Sequence, residues 1–184
     1  MRRLLIALGA NLSGPWGGPI DTMRAAVDHL AGRGIRLIRA SSLYETEPLG
    51  GNWQPPYLNA IVLAKGAASP AALLRQLKEI EKLSGRRTRA RWGPRTLDLD
   101  IIDYAGRTIG WPPRHRNAGR LMLPHPEAHR RAFVLVPLLE VAPHWQHPAL
   151  GVSGQLLLSQ LGAQRRGVRR ILDSQWLSCD KSFS

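Results

Sequence analysis

The sequence is short of cysteine, lysine and aromatic residues. Its 184 residues include one cysteine, Cys179, and four lysines, and aromatic side chains make up 6% of the chain. A single cysteine excludes a disulfide framework within the chain and any metal or redox site built on a Cys-x-x-Cys pair. No apolar run reaches the roughly 18 residues that a membrane-spanning helix needs. We therefore expect a cytoplasmic protein with no membrane partner.

Several common phosphate-binding motifs are also missing. None of the four lysines follows a glycine, which excludes the GxxxxGK[ST] phosphate loop. No GxGxxG run opens a helix, and no GxSxG nucleophile elbow is present. A bound nucleotide must therefore be held by side chains of another kind.

Arginine dominates the charge of the chain. There are 26 basic and 13 acidic residues, so the formal net charge is +13. Eleven arginines but only four acidic residues lie between residues 84 and 131, and Arg165, Arg166, Arg169 and Arg170 follow near the C-terminus. Such an excess indicates an anionic partner, either nucleic acid or a polyphosphate ligand. The alternative is that arginine simply fills solvated surface positions.

Hydrophobic spacing predicts strands over residues 3–8, 35–44, 57–64 and 97–104. Helices are predicted from Ile20, from Pro70 after a Ser69 cap, from Phe133 and from Ser153. This order is typical of an α+β, ferredoxin-like, three-layer arrangement, with a mainly antiparallel sheet and helices packed on it. We expect one domain over residues 1–161 and a basic, partly flexible C-terminal tail over residues 162–184.

Two aspartates alternate with apolar residues in the segment Leu97-Asp98-Leu99-Asp100-Ile101. Side chains of a strand alternate between its faces, so the apolar residues should face the core while Asp98 and Asp100 share the other face. Paired carboxylates repel unless a cation lies between them, and their hard oxygens suit Mg²⁺. The alternative is a solvated strand face with an arginine partner.

The segment just before the aspartates, Arg91-Trp92-Gly93-Pro94-Arg95-Thr96, joins two guanidinium groups to an indole through a rigid Gly-Pro turn. Guanidinium forks match phosphate oxygens, and a tryptophan can stack on a ring. A plain surface loop is the alternative interpretation.

Histidines in the second half of the chain could bind a metal or a phosphate. His125 and His129 are four residues apart, which would suit a zinc pair on a helix, but Pro124 and Pro126 argue against a regular helix there. A phosphate contact from His125 is favoured over a metal. His147 lies beside a proline and is expected at the surface.

Five segments together resemble the 6-hydroxymethyl-7,8-dihydropterin pyrophosphokinase family. They are residues 7–12, 41–46, 57–60, 91–100 and 123–143, and they occur in the family's order. The run R-W-G-P-R-T-L-D-L-D is the most specific of them. The resemblance implies Mg²⁺-dependent transfer of pyrophosphate from ATP to the hydroxymethyl group of the reduced pterin in folate biosynthesis, with AMP as the second product.

The resemblance also implies roles for individual residues. It assigns catalysis to Arg86, Arg95, Asp98 and Asp100, of which the two aspartates also hold two Mg²⁺ ions bound with ATP. It assigns ATP binding to Glu81, Trp92, Arg95, Ile101, Arg120, His125 and Arg131. It assigns pterin binding to Thr46, Leu49, Tyr57, Asn59, Trp92 and Phe133, with Tyr57 and Phe133 stacking on the ring.

The chain departs from the family's pattern at a few positions. Lys78 stands where some relatives have a glutamine beside the nucleotide, and Thr88 stands where an arginine is common. The resemblance predicts a monomer that binds ATP and the pterin but no nucleic acid. The alternatives are a catalytically degenerate member of the family and a basic nucleic-acid-binding domain. The latter lacks the aromatic strand pattern of an RNA-recognition module.

Overall fold

A computed structural model describes residues 1–48, 53–86, 93–112 and 121–177. Leu49, Trp92 and Arg120, to which the resemblance assigns ligand contacts, lie outside these residues. No helix in the described ranges is long and apolar enough to cross a membrane. The strands are β1 (Arg2–Ala10), β2 (Arg36–Ala40), β3 (Leu43–Thr46), β4 (Tyr57–Gly66), β5 (Asp98–Tyr104) and β6 (Val168–Leu172). The helices are α1 (Pro19–Ala31), α2 (Pro70–Leu83), α3 (Ala132–Val141) and α4 (Gly154–Ser159).

All six strands form one antiparallel sheet. Its order is β5-β1-β4-β3-β6, and β2 pairs with β4 beside β3. The single strand predicted over residues 35–44 is two strands, interrupted at the buried residues Ser41 and Ser42. The Ser41 hydroxyl accepts a hydrogen bond from the Ile61 amide at 3.0 Å and donates one to the Ser42 carbonyl at 2.8 Å. Side-chain bonds thus satisfy the backbone where the chain changes direction.

Helices cover both faces of the sheet, as the three-layer prediction requires. Leu4, Ile6 and Leu8 of β1 face one core, which is shared with α1 and α2. Leu5, between them, faces a second core, which is shared with α3 and α4. Because alternate residues point to opposite faces, a strand buried on both sides is apolar at nearly every position. The predicted α+β architecture is confirmed.

The start of α2 also agrees with the sequence. Ser69 accepts a hydrogen bond from the amide of Ala72 at 3.3 Å, and Pro70 occupies the first turn. The helix buries Leu73, Leu77 and Ile80 against the first core. It therefore runs along the sheet and delivers its C-terminal residues to the edge of β5.

The structure differs from the expected partly flexible tail over residues 162–184 at residues 168–177, which pack against the rest of the domain. Strand β6 pairs with β3, and Trp176 beyond it is 3% exposed in the first core. The Trp176 indole N–H donates to the Ser41 carbonyl at 2.8 Å, and the Trp176 carbonyl accepts from Nε of Arg24 at 2.6 Å. The edge of β3 provides the pairing partner that the basic segment alone could not indicate.

An aromatic cluster of Trp111, His129, Trp145 and His147 lies beside the second core. His147, expected at the surface, is instead fully buried. Its Nδ1 accepts hydrogen bonds from the amides of Ala149 and Leu150, at 3.3 and 3.2 Å, so the neutral ring carries its proton on Nε2. Burial, assisted by the nearby His129 and opposed by Asp103, lowers the pKa of His147 to about 4.

We expect this burial to make the fold sensitive to acid between about pH 6.5 and pH 4. The unfolded chain takes up a proton at His147 near its ordinary pKa of 6.5, whereas the folded protein does so only near 4. The free energy of unfolding should therefore fall as the pH falls through this window, by up to about 1.4 kcal/mol per pH unit from this residue. Urea denaturation of wild type and His147→Gln at several pH values measures the effect. If the free energy of unfolding changed equally with pH in the two proteins, the prediction would be wrong.

Substitution of Trp176 tests whether the C-terminal segment, residues 168–177, is packed into the core. We expect Trp176→Ala to lower the free energy of unfolding by about 3–5 kcal/mol, because it removes a large side chain from the core. Trp176→Phe retains most of the packing and should cost less, mainly through the lost bond to the Ser41 carbonyl. Chemical denaturation measures both values. Wild-type stability of Trp176→Ala would show that this segment is not part of the core.

Candidate functional site

Small residues at the end of β1 form the floor of the site. Gly9 pairs with Asn59 of β4 on one side and with Asp98 of β5 on the other. Directly opposed residues of neighbouring strands share a face of the sheet, so the three residues form one row. A Cβ atom built on Gly9 would lie 3.8 Å from Oδ1 of Asn59 and 3.9 Å from Cβ of Asp98. The row thus brings a predicted pterin-binding residue close to a predicted metal-binding residue.

The predicted alternation along β5 is confirmed. Leu97, Leu99 and Ile101 are at most 4% exposed and lie in the first core. The side chains of Asp98 and Asp100 are 25% and 33% exposed and share the other face. Since the Ile101 side chain faces the core, only its backbone, on an edge strand, is available for the predicted contact with ATP.

Two arginines contact the Asp98 carboxylate. Nη1 of Arg86 lies 2.6 Å from Oδ1, and Nη1 of Arg95 pairs with Oδ2. Burial alone would raise the pKa of Asp98, but the two guanidinium groups outweigh that effect and hold the pKa below its usual value. Asp98 is therefore ionised at neutral pH and sits beneath two cations that could also reach phosphate oxygens.

Arg86 also ties this carboxylate to α2. Its Nη1 lies 2.6 Å from Oε1 of Glu81, which is 3% exposed. The same oxygen accepts a hydrogen bond from the Leu99 amide at 2.8 Å and one from Nζ of Lys78 at 2.7 Å. Burial raises the pKa of Glu81, while Lys78 and Arg86 lower it. The predicted ATP ligand Glu81 therefore also anchors the outer edge of β5, and Lys78 adds a cation there.

His125 lies beside the second aspartate, with Nε2 3.7 Å from Oδ2 of Asp100. Its Nδ1 accepts a hydrogen bond from the Glu127 amide at 3.2 Å, which leaves the proton of the neutral ring on Nε2. Burial lowers the pKa of His125, although Asp100 opposes the shift. His125 is thus a neutral donor that points toward the acidic face.

Three of the predicted pterin residues, Thr46, Tyr57 and Asn59, lie on β3 and β4 next to this floor. Nδ2 of Asn59 donates to Oγ1 of Thr46 at 3.0 Å, and the Tyr57 hydroxyl donates to the Gly93 carbonyl at 2.9 Å. Phe133 is the second residue of α3 and is half-buried against the second core. The guanidinium carbon of Arg131 lies 5.7 Å from the centre of the Phe133 ring.

Asn11 is a residue of this region that the sequence analysis left without a role. It is 3% exposed, its Oδ1 accepts from the Arg95 amide at 2.8 Å, and its Nδ2 donates to the Pro55 carbonyl at 3.0 Å. It thereby ties the loop before β5 to the loop before β4. The only sequence signal was its place in the segment 7–12, since contacts between distant loops leave no local pattern.

The donor set of the acidic pair fits Mg²⁺. Two carboxylates on one strand face offer hard oxygen ligands, and substrate phosphates and water usually complete such a shell. Within the described ranges there is no group of three or more histidine, cysteine or acidic side chains that could hold a metal by itself. The unfavoured zinc pair finds no support, because His129 packs against Trp111 and His147.

A sequence model of the 7,8-dihydro-6-hydroxymethylpterin-pyrophosphokinase (HPPK) family matches residues 5–143. The chain belongs to this family. It is 39% identical over 159 residues to the 2-amino-4-hydroxy-6-hydroxymethyldihydropteridine pyrophosphokinase of Synechocystis sp., covering 85% of this chain and 75% of that one. The Haemophilus influenzae enzyme of the same name is 40% identical over 138 residues, covering 74% of this chain and 79% of its own.

Solved HPPK structures share the fold. A crystal structure of Plasmodium falciparum HPPK-DHPS A437G with SDX-DHP matches 92% of this chain with a TM-score of 0.70 and 16% identity. Because the match covers 49% of that chain, the present chain spans about half its length. At this identity the likeness bears on the fold alone, and it agrees with the ferredoxin-like prediction.

Substitution of Gly9 tests whether the row Asn59–Gly9–Asp98 forms part of the pterin-binding surface. We expect Gly9→Val to fold, because a β-branched residue suits a strand, but to fill the space between Asn59 and Asp98. The affinity for the pterin should fall at least tenfold, measured by calorimetric titration. Gly9→Ala, whose Cβ would meet only ordinary contacts, serves as the control. Unchanged pterin affinity in Gly9→Val would remove Gly9 from the binding floor.

Proposed function

We propose that this site transfers the β,γ-pyrophosphoryl group of ATP to 6-hydroxymethyl-7,8-dihydropterin, the reaction of its family in folate biosynthesis. The pterin hydroxyl oxygen forms a bond to the β-phosphorus of ATP and loses its proton. The bond between that phosphorus and the oxygen of the α-phosphate breaks, and AMP leaves. The observation that carries the proposal is the row Asn59–Gly9–Asp98, since it sets a pterin-edge amide next to the acidic face.

Asp98 and Asp100 are the residues that would hold Mg²⁺ in this site. When bound, the ion would neutralise triphosphate charge and polarise the reacting oxygens. Arg86 and Arg95 occupy both oxygens of Asp98, so in the complex they share that carboxylate or turn toward the phosphates. Two ions and a monomeric state stay predictions of the resemblance, and a cytoplasmic location stays a prediction from the sequence composition.

The remaining groups recognise the two substrates. The neutral His125 offers an N–H donor on the acidic face, where phosphate oxygens of ATP would lie. Asn59 and Thr46 present an amide and a hydroxyl to the pterin edge. Tyr57 and Phe133 offer aromatic rings for stacking on the flat heterocycle. Arg131, next to Phe133, and the residues Leu49, Trp92 and Arg120 keep their predicted roles as further ligands.

Positioning of these groups depends on links between loops. Asn11 joins Arg95 to Pro55, and the Tyr57 hydroxyl joins the start of β4 to Gly93. The loop before β5, which carries the phosphate-binding Arg95, is therefore hydrogen-bonded to the segment leading into β4, which carries Tyr57, before any substrate binds. Such preorganisation reduces the entropy lost when two substrates must be aligned for an in-line transfer.

AMP release from ATP and Mg²⁺, with and without 6-hydroxymethyl-7,8-dihydropterin, tests the function directly. We expect AMP only in the presence of the pterin, together with an equal amount of pterin diphosphate. A folded protein that binds ATP but releases no AMP under these conditions would be a degenerate member of the family.

The acidic pair has its own test. We expect Asp98→Asn and Asp100→Asn each to lower turnover on the order of 10²–10³-fold or more, because each removes a preorganised charge from the site. The Mg²⁺ concentration for half-maximal activity should also rise. Asp173→Asn makes the same chemical change at an exposed residue after β6 and should leave turnover unchanged. If Asp98→Asn and Asp100→Asn both kept the wild-type turnover, as the control should, the pair would hold no metal.

A further inference from the structure

A row of cations crosses three neighbouring strands at the end of the sheet away from the candidate site. Arg3 of β1 lies directly opposite Lys65 of β4, and Lys65 lies directly opposite Arg36 of β2. Arg39 of β2 lies opposite Leu63, two residues before Lys65, and so shares the same face of the sheet. We name Arg3, Arg36, Arg39 and Lys65 the basic row.

The basic row is exposed, and its charge is not balanced by neighbouring carboxylates. All four side chains are exposed, and across residues 1–48, 53–86, 93–112 and 121–177 no ion pair involves any of them. On the same face of β5, Asp98 and Asp100 lie at the candidate site, and the acidic residue nearest in register to the basic row is Asp103, opposite Leu5. It is 3% exposed, and its two oxygens accept hydrogen bonds from Trp145 and Gly106. Asp103 is therefore engaged elsewhere.

Packing does not account for this arrangement. The four side chains belong to neither hydrophobic core. Like charges directly opposite each other destabilise a sheet, yet Lys65 has an arginine on each side. A surface that keeps repelling cations in register suits a partner with regularly repeated negative charge.

We propose that the basic row binds the phosphate backbone of nucleic acid, independently of the site for ATP and pterin. Three of its four cations are arginines, whose guanidinium groups pair with phosphate oxygens through two parallel hydrogen bonds. Strands lie about 4.8 Å apart, so Arg3, Lys65 and Arg36 span about 10 Å of surface. This span allows contacts with neighbouring phosphates.

The composition of the row also defines the kind of binding. It contains no aromatic side chain on which a base could stack, so contacts are to the backbone and carry no base preference. The resemblance predicted no nucleic-acid partner, and the missing aromatic strand pattern argued against an RNA-recognition module, but that second argument does not extend to backbone binding. Arg3 and Gly9 are six residues apart on β1, about 20 Å at the rise of a strand, so the two sites are separate.

The salt dependence of duplex binding tests the proposal. A mixed-sequence DNA duplex is titrated with the full chain at several salt concentrations. Four phosphate contacts predict a slope of log affinity against log salt of about −3.6, and Arg36→Gln/Lys65→Gln should reduce its magnitude by about 1.8. Arg75→Gln/Lys82→Gln removes the same two residue types from exposed positions of α2 and should leave the slope unchanged.

Four other results would overturn the proposal. Equal loss of slope in both double variants would assign the binding to net charge, and competition by ATP would assign it to the candidate site. Tighter binding to vesicles of phosphatidylglycerol and phosphatidylcholine than to the duplex, at equal phosphate, would indicate a membrane surface. Absence of measurable binding at low salt would equally refute it. Pterin-dependent AMP release should match wild type in both double variants, and Arg36→Gln/Lys65→Gln should melt no lower than wild type.

Discussion

Two arginines share one carboxylate at the start of β5, and the candidate site depends on this contact. Asp98, Asp100 and Glu81 bring three carboxylates close to one strand edge, where they would repel one another without nearby cations. Arg86 contacts both Asp98 and Glu81, while Arg95 takes the other oxygen of Asp98. The charges therefore hold the end of α2 and the loop before β5 against the sheet.

Hydrogen bonds extend this arrangement to the rest of the site. The amide of Arg95 is bonded to Asn11, which also reaches the Pro55 carbonyl, and Tyr57 is bonded to the Gly93 carbonyl. A substitution that weakens the contact between Arg95 and Asp98 would thus also affect the segment leading into β4. The segments that would bind phosphate and those that would bind the pterin are thus held in place by the same hydrogen bonds.

The sequence predicted the parts of this site that depend on local rules or on the family resemblance. The alternation of Asp98 and Asp100 follows from the two-residue period of any strand, and the Ser69 cap follows from side-chain chemistry within one turn. The prediction that placed His147 at the surface was wrong, and the sequence did not predict that residues 168–177 pack against the domain. The burial of His147 depends on Trp111 and Trp145, and β6 depends on the edge of β3. Trp111 and β3 lie far in the chain from the residues they contact, and although Trp145 is two residues from His147, that proximity alone does not indicate burial.

The sequence by itself determined the pattern of strands and helices, the acidic pair, and the family to which the chain belongs. Only the tertiary structure decided that Gly9 lies between Asn59 and Asp98, and that Lys65 lies between two arginines. The physical reason is register. A shift of one residue would move every side chain of a strand to the other face. That register is set by segments far apart in sequence, which pair only when both faces of the sheet are buried.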